Sequence, residues 1–141
     1  IKLQLWNIHI RIETIKCKCR VNHMTSLKGR KALVTGSTGF VGSHVIKALS
    51  STGYLVRGIS STLSDDLHTV RDINGTTDWS GVLKDVDTII HTAALVHKEH
   101  PTEEDICRYN DVNLKGTLNL AEQARNQVRL FIFISTIKVN H

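Results

Sequence analysis

Three glycines at regular spacing mark the stretch 34–45, which reads VTGSTGFVGSHV and holds Gly36, Gly39 and Gly42. A β-rich run, KALVTG, leads into the first glycine, and apolar residues at helical spacing follow the last. The first glycine permits a tight turn, the second lets the backbone approach a ligand, and the third lets a helix pack close to a sheet. A helix that begins here points its free N–H groups at the same place, so the stretch predicts a phosphate-binding turn.

Strand-like and helix-like segments alternate from residue 28 onward. Five apolar runs predict strands: KALVTG (31–36), YLVRGIS (54–60), LHTVRDI (67–73), DTIIHTAA (87–94) and RLFIFIS (129–135). Between them the sequence predicts a helix that ends at Gly53, a short helix capped near Thr77 or Asp78, and a long helix within 103–127. The alternation predicts an α/β fold, a Rossmann-type doubly wound parallel sheet in the order 3-2-1-4-5 with helices on both faces.

The glycine stretch and four later motifs resemble the extended short-chain dehydrogenase/reductase family, which contains nucleotide-sugar epimerases, dehydratases and reductases. The motifs stand in the family's order: TGSTGFVG, VRDI, IIHTAA, DVNLKGTLNL and FIFISTIKVN. The stretches HTAALVH and FISTIKVN are most similar to the matching sequences of bacterial proteins of the UDP-glucose 4-epimerase type. The resemblance covers residues 28–141 and implies an NAD(P)-dependent epimerase or dehydratase that acts on a nucleotide sugar.

The same resemblance assigns cofactor-binding residues. It implies that Asp72 bonds the adenine amino group and that Ile73 lies by the adenine ring. Asn113 matches the family's structural and cofactor-proximal asparagine, and His91 opens the loop beside the cofactor. The remaining implied contacts to the dinucleotide come from the glycine stretch and from that loop: Gly36, Ser37, Gly39, Phe40, Val41, Gly42, Ala93 and Ala94.

Catalysis in this family uses a Tyr as acid and base, a Lys four residues later, and a Ser or Thr hydroxyl. The resemblance implies the hydroxyl role for Thr136, with Ser135 just before it. Neither Tyr54 nor Tyr109 has a Lys four residues later. A phenol needs a nearby cation to act near neutral pH. We therefore expect a fragment, truncated after the fifth strand and without the substrate lobe, that has no turnover of its own.

The sequence leaves the choice between NAD and NADP open. In NAD binders the second strand usually ends on an Asp that accepts hydrogen bonds from the ribose. Here Ser60 falls near that position, and Arg57 lies too early in the strand to be assigned to a 2′-phosphate. The family resemblance favours NAD.

The organisation of the chain changes at Met24. Residues 1–23 alternate apolar with polar side chains, which predicts a strand or hairpin, whereas MTSLKGRKALVTG reads like the natural start of a protein. We interpret residues 1–23 as an extension foreign to the family and 24–141 as a partial NAD(P)-binding Rossmann domain. The fifth strand would then be an exposed apolar edge, unless residues 1–13 cover it by pairing.

Composition argues against several other functions. Most of the net charge of +5 comes from residues 1–23, which hold five basic residues and Glu13, so the folded body has no basic patch for nucleic acid. No apolar run is long enough to span a membrane. Three cysteines without zinc spacing suit a reducing cytoplasm, and the histidines at 91, 97 and 100 form no metal motif. We expect a cytoplasmic protein, and the resemblance implies a homodimeric parent.

Two other functions stay open at this level. One is a one-way reductase or dehydrogenase of the same superfamily. The other is a dinucleotide-binding fragment with no catalytic role. The glycine stretch supports dinucleotide binding in all three cases, and we expect the missing C-terminal part to decide between the epimerase and the one-way enzyme.

Overall fold

The computed structural model describes residues 10–16, 29–60, 70, 72–96 and 98–136, with the backbone alone for 10–16, 135 and 136. Within these residues a five-stranded sheet is flanked by helices. The strands are β1 (Ile10–Lys16), β2 (Lys31–Thr35), β3 (Leu55–Ile59), β4 (Thr88–His91) and β5 (Leu130–Thr136). The helices are α1 (Phe40–Ser51), α2 (Ser80–Leu83), α3 (Glu103–Tyr109) and α4 (Thr117–Ala124), and a π-helical segment (Asn110–Gly116) joins α3 to α4.

The sheet has the order β1-β5-β4-β2-β3. Strands β2 to β5 are parallel, as the crossovers through α1 and through the α3–α4 helices require. Their order matches strands 2-1-4-5 of the predicted sheet. The Rossmann-type α/β fold is therefore confirmed.

The predicted third strand (67–73) is wrong for the part of it that the structure describes. Val70, Asp72 and Ile73 lie outside any strand, and the rest of the stretch lies outside the described residues. The carbonyl of Asp72 accepts a hydrogen bond from the Thr77 hydroxyl at 2.7 Å, while the Asn74 side chain accepts one from the N–H of Thr76 at 2.8 Å. Such local bonds from side chain to backbone compete with a sheet ladder, and here they belong to a turn at residues 74–77 that also engages the carbonyl of Asp72.

The predicted exposed edge at β5 is also wrong, because β1 pairs with β5 along its whole length. The pairing is antiparallel and sets Ile10 opposite Thr136 and Lys16 opposite Leu130. Pairing by residues 1–13 is thus confirmed for residues 10–13, and the ladder continues to residue 16. A sheet edge that is paired no longer offers free N–H and C=O groups to another chain.

The core lies on both faces of the sheet. In β2, Leu33 points to one face, and Ala32 and Val34 point to the other. The face of Leu33 packs against α2 and α4 through a cluster that includes Trp79, Val82, Leu83, Leu120, Ala124 and Phe131. The opposite face packs against α1 through Val45, Ile46 and Leu49. Burial on both faces explains why the strands read as continuous apolar runs.

Helix ends follow the predicted signals. Gly53, with φ of 88°, ends α1 as predicted, and its N–H donates to the carbonyl of Ser50 at 3.1 Å. Asp78 accepts a hydrogen bond from the N–H of Ser80, the first residue of α2, at 2.9 Å. Where the structure describes the chain, no helix has the length and apolar character needed to cross a membrane.

A capping box fixes the start of α3. The Thr102 hydroxyl accepts from the N–H of Asp105 at 3.2 Å, and the Asp105 carboxylate accepts from the N–H of Thr102 at 3.1 Å. Lys98 donates to the same carboxylate at 2.8 Å. This ammonium and the Thr102 N–H lower the pKa of Asp105 to about 2.

Candidate functional site

The carboxyl ends of β2 and β4 lie side by side at the switch point of the sheet, where the chain connections leave in opposite directions. From β2 the chain passes through α1 to β3 on one side, whereas β4 lies on the other side of β2. In doubly wound sheets the crevice beyond such a switch point binds ligands. Gly36 directly follows β2 and Thr92 directly follows β4, so the glycine loop (residues 36–39) and the β4 loop (residues 92–96) both lie there.

Gly36 brings these two loops into contact. Its φ is 69°, in the left-handed region that favours glycine. A Cβ on Gly36 would lie 2.8 Å from the Thr92 hydroxyl and 2.9 Å from the Ala93 nitrogen. A side chain is therefore excluded here both by backbone conformation and by space.

The third glycine is required for packing, and the second is much less constrained. A Cβ on Gly42 would overlap the carbonyl oxygen of Gly36 and lie 2.8 Å from its carbonyl carbon, so α1 rests directly on the loop. A Cβ on Gly39 would meet one heavy atom within 4 Å, the Gly36 oxygen at 3.2 Å, and its φ of −71° suits any residue. The space over Gly39 is otherwise open, which is the condition for a ligand to approach the backbone.

The first turn of α1 supplies donors at the same place. The helix begins at Phe40, and the first intrahelical bond runs from the N–H of Ser43 to the carbonyl of Gly39 at 3.0 Å. The N–H groups of Phe40, Val41 and Gly42 precede it and have no helical acceptor. The first turn of α1 holds no acidic side chain, so nothing on it opposes the positive end of the helix dipole.

The glycine loop is also attached to the end of β3. The N–H of Ser37 donates to the carbonyl of Ile59 at 3.0 Å, and the hydroxyls of Thr38 and Ser60 are 2.9 Å apart. Ser60 thus stands beside the loop and directly follows β3, near the position where NAD binders usually carry an Asp, and it presents a hydroxyl in place of an acid. A Cβ on Gly58 would lie 2.8 Å from the Ser37 Cβ.

Sequence reasoning missed Gly58. An isolated glycine inside a strand pattern is a signal of close backbone approach, and it was available at this position. What the sequence does not show is which loop makes the approach.

The β4 loop is held by Asn113. The Asn113 amide donates to the carbonyl of Leu95 at 3.0 Å and accepts from the N–H of Leu95 at 2.7 Å. Asn113 lies in the π-helical segment, so this reciprocal pair fixes the loop that carries Ala93 and Ala94 against the helix. The predicted structural and cofactor-proximal asparagine is therefore in contact with the predicted cofactor loop.

His91 is fully buried beneath these loops. Its Nδ1 lies 2.6 Å from the Thr35 hydroxyl, and its Nε2 lies 2.9 Å from the Thr117 hydroxyl. The Phe133 ring stacks on the imidazole at 5.8 Å between centroids. Burial lowers the pKa of His91 to about 4, which keeps the ring neutral near pH 7.

Asp72 and Ile73 lie on a turn that is tied to α4. Asn119 donates to the carbonyls of Asn74 and Thr77 at 3.1 and 2.7 Å. Ile73 packs against the core, and its Cγ2 fills the space next to Gly116, where a Cβ would lie 2.7 Å away. Asp72 is exposed, so its carboxylate faces solvent and is available to a ligand. Their adenine-binding roles stay predictions.

Thr136 is the last residue of β5, three positions beyond Phe133, which pairs with His91. Because β4 and β5 are parallel, its backbone lies at the same end of the sheet as the glycine loop. Its side chain lies outside the described residues. The catalytic role of Thr136 stays a prediction.

Comparison with known proteins identifies the family. Residues 32–139 match the model of the NAD dependent epimerase/dehydratase family. The chain is 42% identical over 118 residues to UDP-glucose 4-epimerase of Vibrio cholerae, with 79% of this chain and 36% of that protein covered. The chain therefore belongs to the NAD dependent epimerase/dehydratase family, as the resemblance to extended short-chain dehydrogenases/reductases implied.

Two solved structures share the fold. One is a short-chain dehydrogenase/reductase superfamily protein from Agrobacterium tumefaciens with bound NAD, at TM-score 0.56 and 29% identity over 74% of this chain and 32% of that one. The other is UDP-glucuronic acid 4-epimerase from Bacillus cereus in complex with UDP-glucuronic acid and NAD, at TM-score 0.55 and 28% identity over 67% of this chain and 36% of that one. This chain spans about a third of the length of the curated relatives it matches.

Proposed function

We propose that this chain is the dinucleotide-binding part of an NAD-dependent nucleotide-sugar epimerase or dehydratase of the UDP-glucose 4-epimerase type. One observation carries the proposal. The fold itself excludes side chains at Gly36 and Gly42, whereas the glycine at 39 leaves open space beside the free N–H groups of α1. A pyrophosphate needs both the open space and the donors.

The described residues fit the dinucleotide. The pyrophosphate would lie over Gly39 and accept from the N–H groups of Phe40 and Val41. The nicotinamide supplies hydride transfer when it is bound, and the chain's own residues bind and orient it. Thr38 and Ser60 offer neutral hydroxyls at the end of β3. Such a pair suits the ribose hydroxyls of NAD better than the charged 2′-phosphate of NADP, so NAD is the proposed cofactor.

Nucleotide-sugar chemistry is supported by the relatives. The Vibrio cholerae protein is a UDP-glucose 4-epimerase, and the Bacillus cereus structure holds both NAD and a UDP-sugar. The present sequence contains no Tyr followed four residues later by Lys. We therefore propose that these 141 residues bind the dinucleotide without turning over a nucleotide sugar. Turnover of UDP-glucose by this chain alone would contradict that part.

Calorimetry with NAD and NADP tests the binding proposal. We expect saturable heat with NAD and weaker binding of NADP, on chain shown by circular dichroism to be folded. The test variant is Gly39→Val, which places a branched side chain over the proposed pyrophosphate position. Compared with wild type, it should weaken NAD binding at least about tenfold, or about 1.4 kcal/mol. Absence of heat with either dinucleotide on folded chain would overturn the proposal.

A further inference from the structure

We infer that His91 is a positioning residue, which links the β4 loop to the π-helical segment through one continuous chain of hydrogen bonds. The imidazole occupies the end of β4 and lies between three other elements. It meets the Thr35 hydroxyl from β2, the Thr117 hydroxyl from α4, and the rings of Phe131 and Phe133 from β5. None of these four groups carries a charge at neutral pH.

The proton positions follow from the hydroxyl on the α4 side. Thr117 Oγ1 donates its single hydrogen to the carbonyl of Asn113 at 2.7 Å. It is then an acceptor toward His91, so the imidazole carries its hydrogen on Nε2. Nδ1 is consequently an acceptor and receives the hydrogen of Thr35 Oγ1.

The chain is completed on the β2 side by the β4 loop itself. The N–H of Ala93 donates to Thr35 Oγ1 at 3.3 Å. Every donor therefore points the same way, from Ala93 through Thr35, His91 and Thr117 to the carbonyl of Asn113. A protonated imidazole would have to donate from Nδ1, and the Thr35 hydrogen would lose its acceptor. The network fits the neutral ring alone.

Both ends of this network act on the same loop. One end holds Ala93, whose nitrogen lies against Gly36, and the other holds the residue that exchanges two hydrogen bonds with Leu95. His91 thus sets the position of the β4 loop from beneath, without touching a ligand. Its effect on cofactor affinity rests on the proposed function, whereas its effect on the loop does not.

The test combines imidazole nitrogen NMR with amide hydrogen exchange on the unliganded chain. We expect wild-type His91 to show the Nε2–H tautomer and to stay neutral down to about pH 5. Thr117→Val removes the acceptor of Nε2–H and should speed exchange at Leu95 about tenfold or more. Thr117→Ser, which keeps the hydroxyl, should restore the wild-type exchange.

Thr88→Val is the matched control. Thr88 lies in the same strand, is buried, and has a hydroxyl without a hydrogen-bond partner among the described residues. It should leave exchange at Leu95 unchanged. An Nδ1–H tautomer in the wild type, or unchanged exchange in folded Thr117→Val, would overturn the inference, and the first of these needs no variant to fold.

Cofactor binding separates this inference from the proposed function. Thr117→Val should weaken NAD binding about tenfold relative to wild type and to Thr88→Val. Wild-type chain that shows the expected tautomer and exchange but binds no NAD would contradict the proposed function and support the positioning role. NAD affinity that is equal in Thr117→Val and wild type would overturn the link from loop position to cofactor.

Discussion

The carbonyl oxygen of Gly36 occupies the space that a Cβ on Gly42 would need, so the glycine loop and the first turn of α1 are packed backbone against backbone. Gly39, between them, has one neighbouring atom near the position of its missing Cβ. The three glycines therefore serve different purposes. Two of them are required by the fold, and the remaining one keeps open the place where a ligand would bind.

Gly42→Ala should destabilise the fold. The added methyl cannot fit beside the Gly36 carbonyl without moving α1, so we expect the free energy of unfolding to fall by about 3 kcal/mol. Urea denaturation measures this. Gly81→Ala is the control, because a Cβ on Gly81 in α2 meets nothing within 4 Å. That variant should be as stable as wild type or slightly more so. Equal stability of Gly42→Ala and wild type would contradict the packing described here.

Gly39→Ala should leave the stability of the fold nearly unchanged but weaken NAD binding. We expect the free energy of unfolding to change by less than about 1 kcal/mol, since a Cβ there has one contact and the backbone conformation is ordinary. NAD affinity should fall at least about tenfold, because the methyl stands in the open space over the loop. Calorimetry and urea denaturation on the same preparation check both parts. An unchanged affinity would argue against pyrophosphate binding at this glycine.

Asn113→Ala should release the β4 loop. The substitution removes both hydrogen bonds to Leu95 and leaves a backbone donor and acceptor without their partners, at a cost of about 2 kcal/mol. Urea denaturation should show that loss, and amide exchange at Leu95 should become faster. Asn126→Ala, at an exposed position, is the control and should change neither quantity. Wild-type exchange at Leu95 in Asn113→Ala would show that the loop is held by other contacts.

Stability should rise with pH between about 4 and 6.5 because of His91. The pKa of His91 is about 4 in the folded chain, below its ordinary value of 6.5. Between these values the unfolded chain binds more protons than the folded chain, so acidification from pH 6.5 to 4 lowers the free energy of unfolding by about 3 kcal/mol. Above pH 6.5 this contribution no longer changes with pH. Denaturation curves at a series of pH values measure the slope.

The pKa of Asp105 predicts a second pH dependence of stability, at lower pH than that of His91. Its pKa lies near 2 instead of the ordinary 3.8, so its contribution to stability is present above about pH 4 and is lost as the pH falls toward 2. Asp105→Asn should therefore change the slope below pH 4 and leave the slope between 4 and 6.5 in place. A flat stability profile between pH 4 and 6.5 in wild type would contradict the neutral, buried state of His91.

Removal of residues 1–23 should expose β5. Within this segment, β1 covers the sheet edge through the ladder between Ile10–Lys16 and Leu130–Thr136. The shortened chain should sediment as larger species than the full chain, since an apolar edge strand pairs with other copies. Removal of residues 1–9 leaves β1 and is the control. A shortened chain that sediments like the full one would show that the edge needs no cover.

The glycine loop and the parallel strands were predictable because their signals are local. Gly36 and Gly53 need positive φ, and buried parallel strands read as apolar runs. The alternation in residues 1–23 indicated a strand, but whether it pairs with the fifth strand stayed open, because such pairing depends on contacts between residues far apart in sequence. At the described residues of the predicted third strand, the Thr77 hydroxyl bonds the carbonyl of Asp72 and competes with a sheet ladder, an effect that an apolar pattern does not show.

Parts of the candidate site could also be predicted from local sequence signals, and other parts could not. Its glycines, Ala93 and Asn113 follow from motifs in the sequence, and the structure brings them together at one end of the sheet. The contact of Ser37 with Gly58 and the network through His91 could not be predicted, because nearly all of their contacts join residues more than 20 positions apart in sequence. A buried histidine between two threonines reads as an ordinary strand residue until its neighbours are known.

Amide shift mapping of the labelled chain with NAD tests most directly whether the glycine loop binds the dinucleotide. We expect saturable shifts that are largest at Gly39, Phe40, Val41 and Gly42, with smaller ones at Ala93. NAD should cause larger changes there than NADP at equal concentration. Saturable binding with shifts confined to other parts of the chain, or no shifts at the glycine loop in folded chain, would contradict the assignment of this loop as the dinucleotide site.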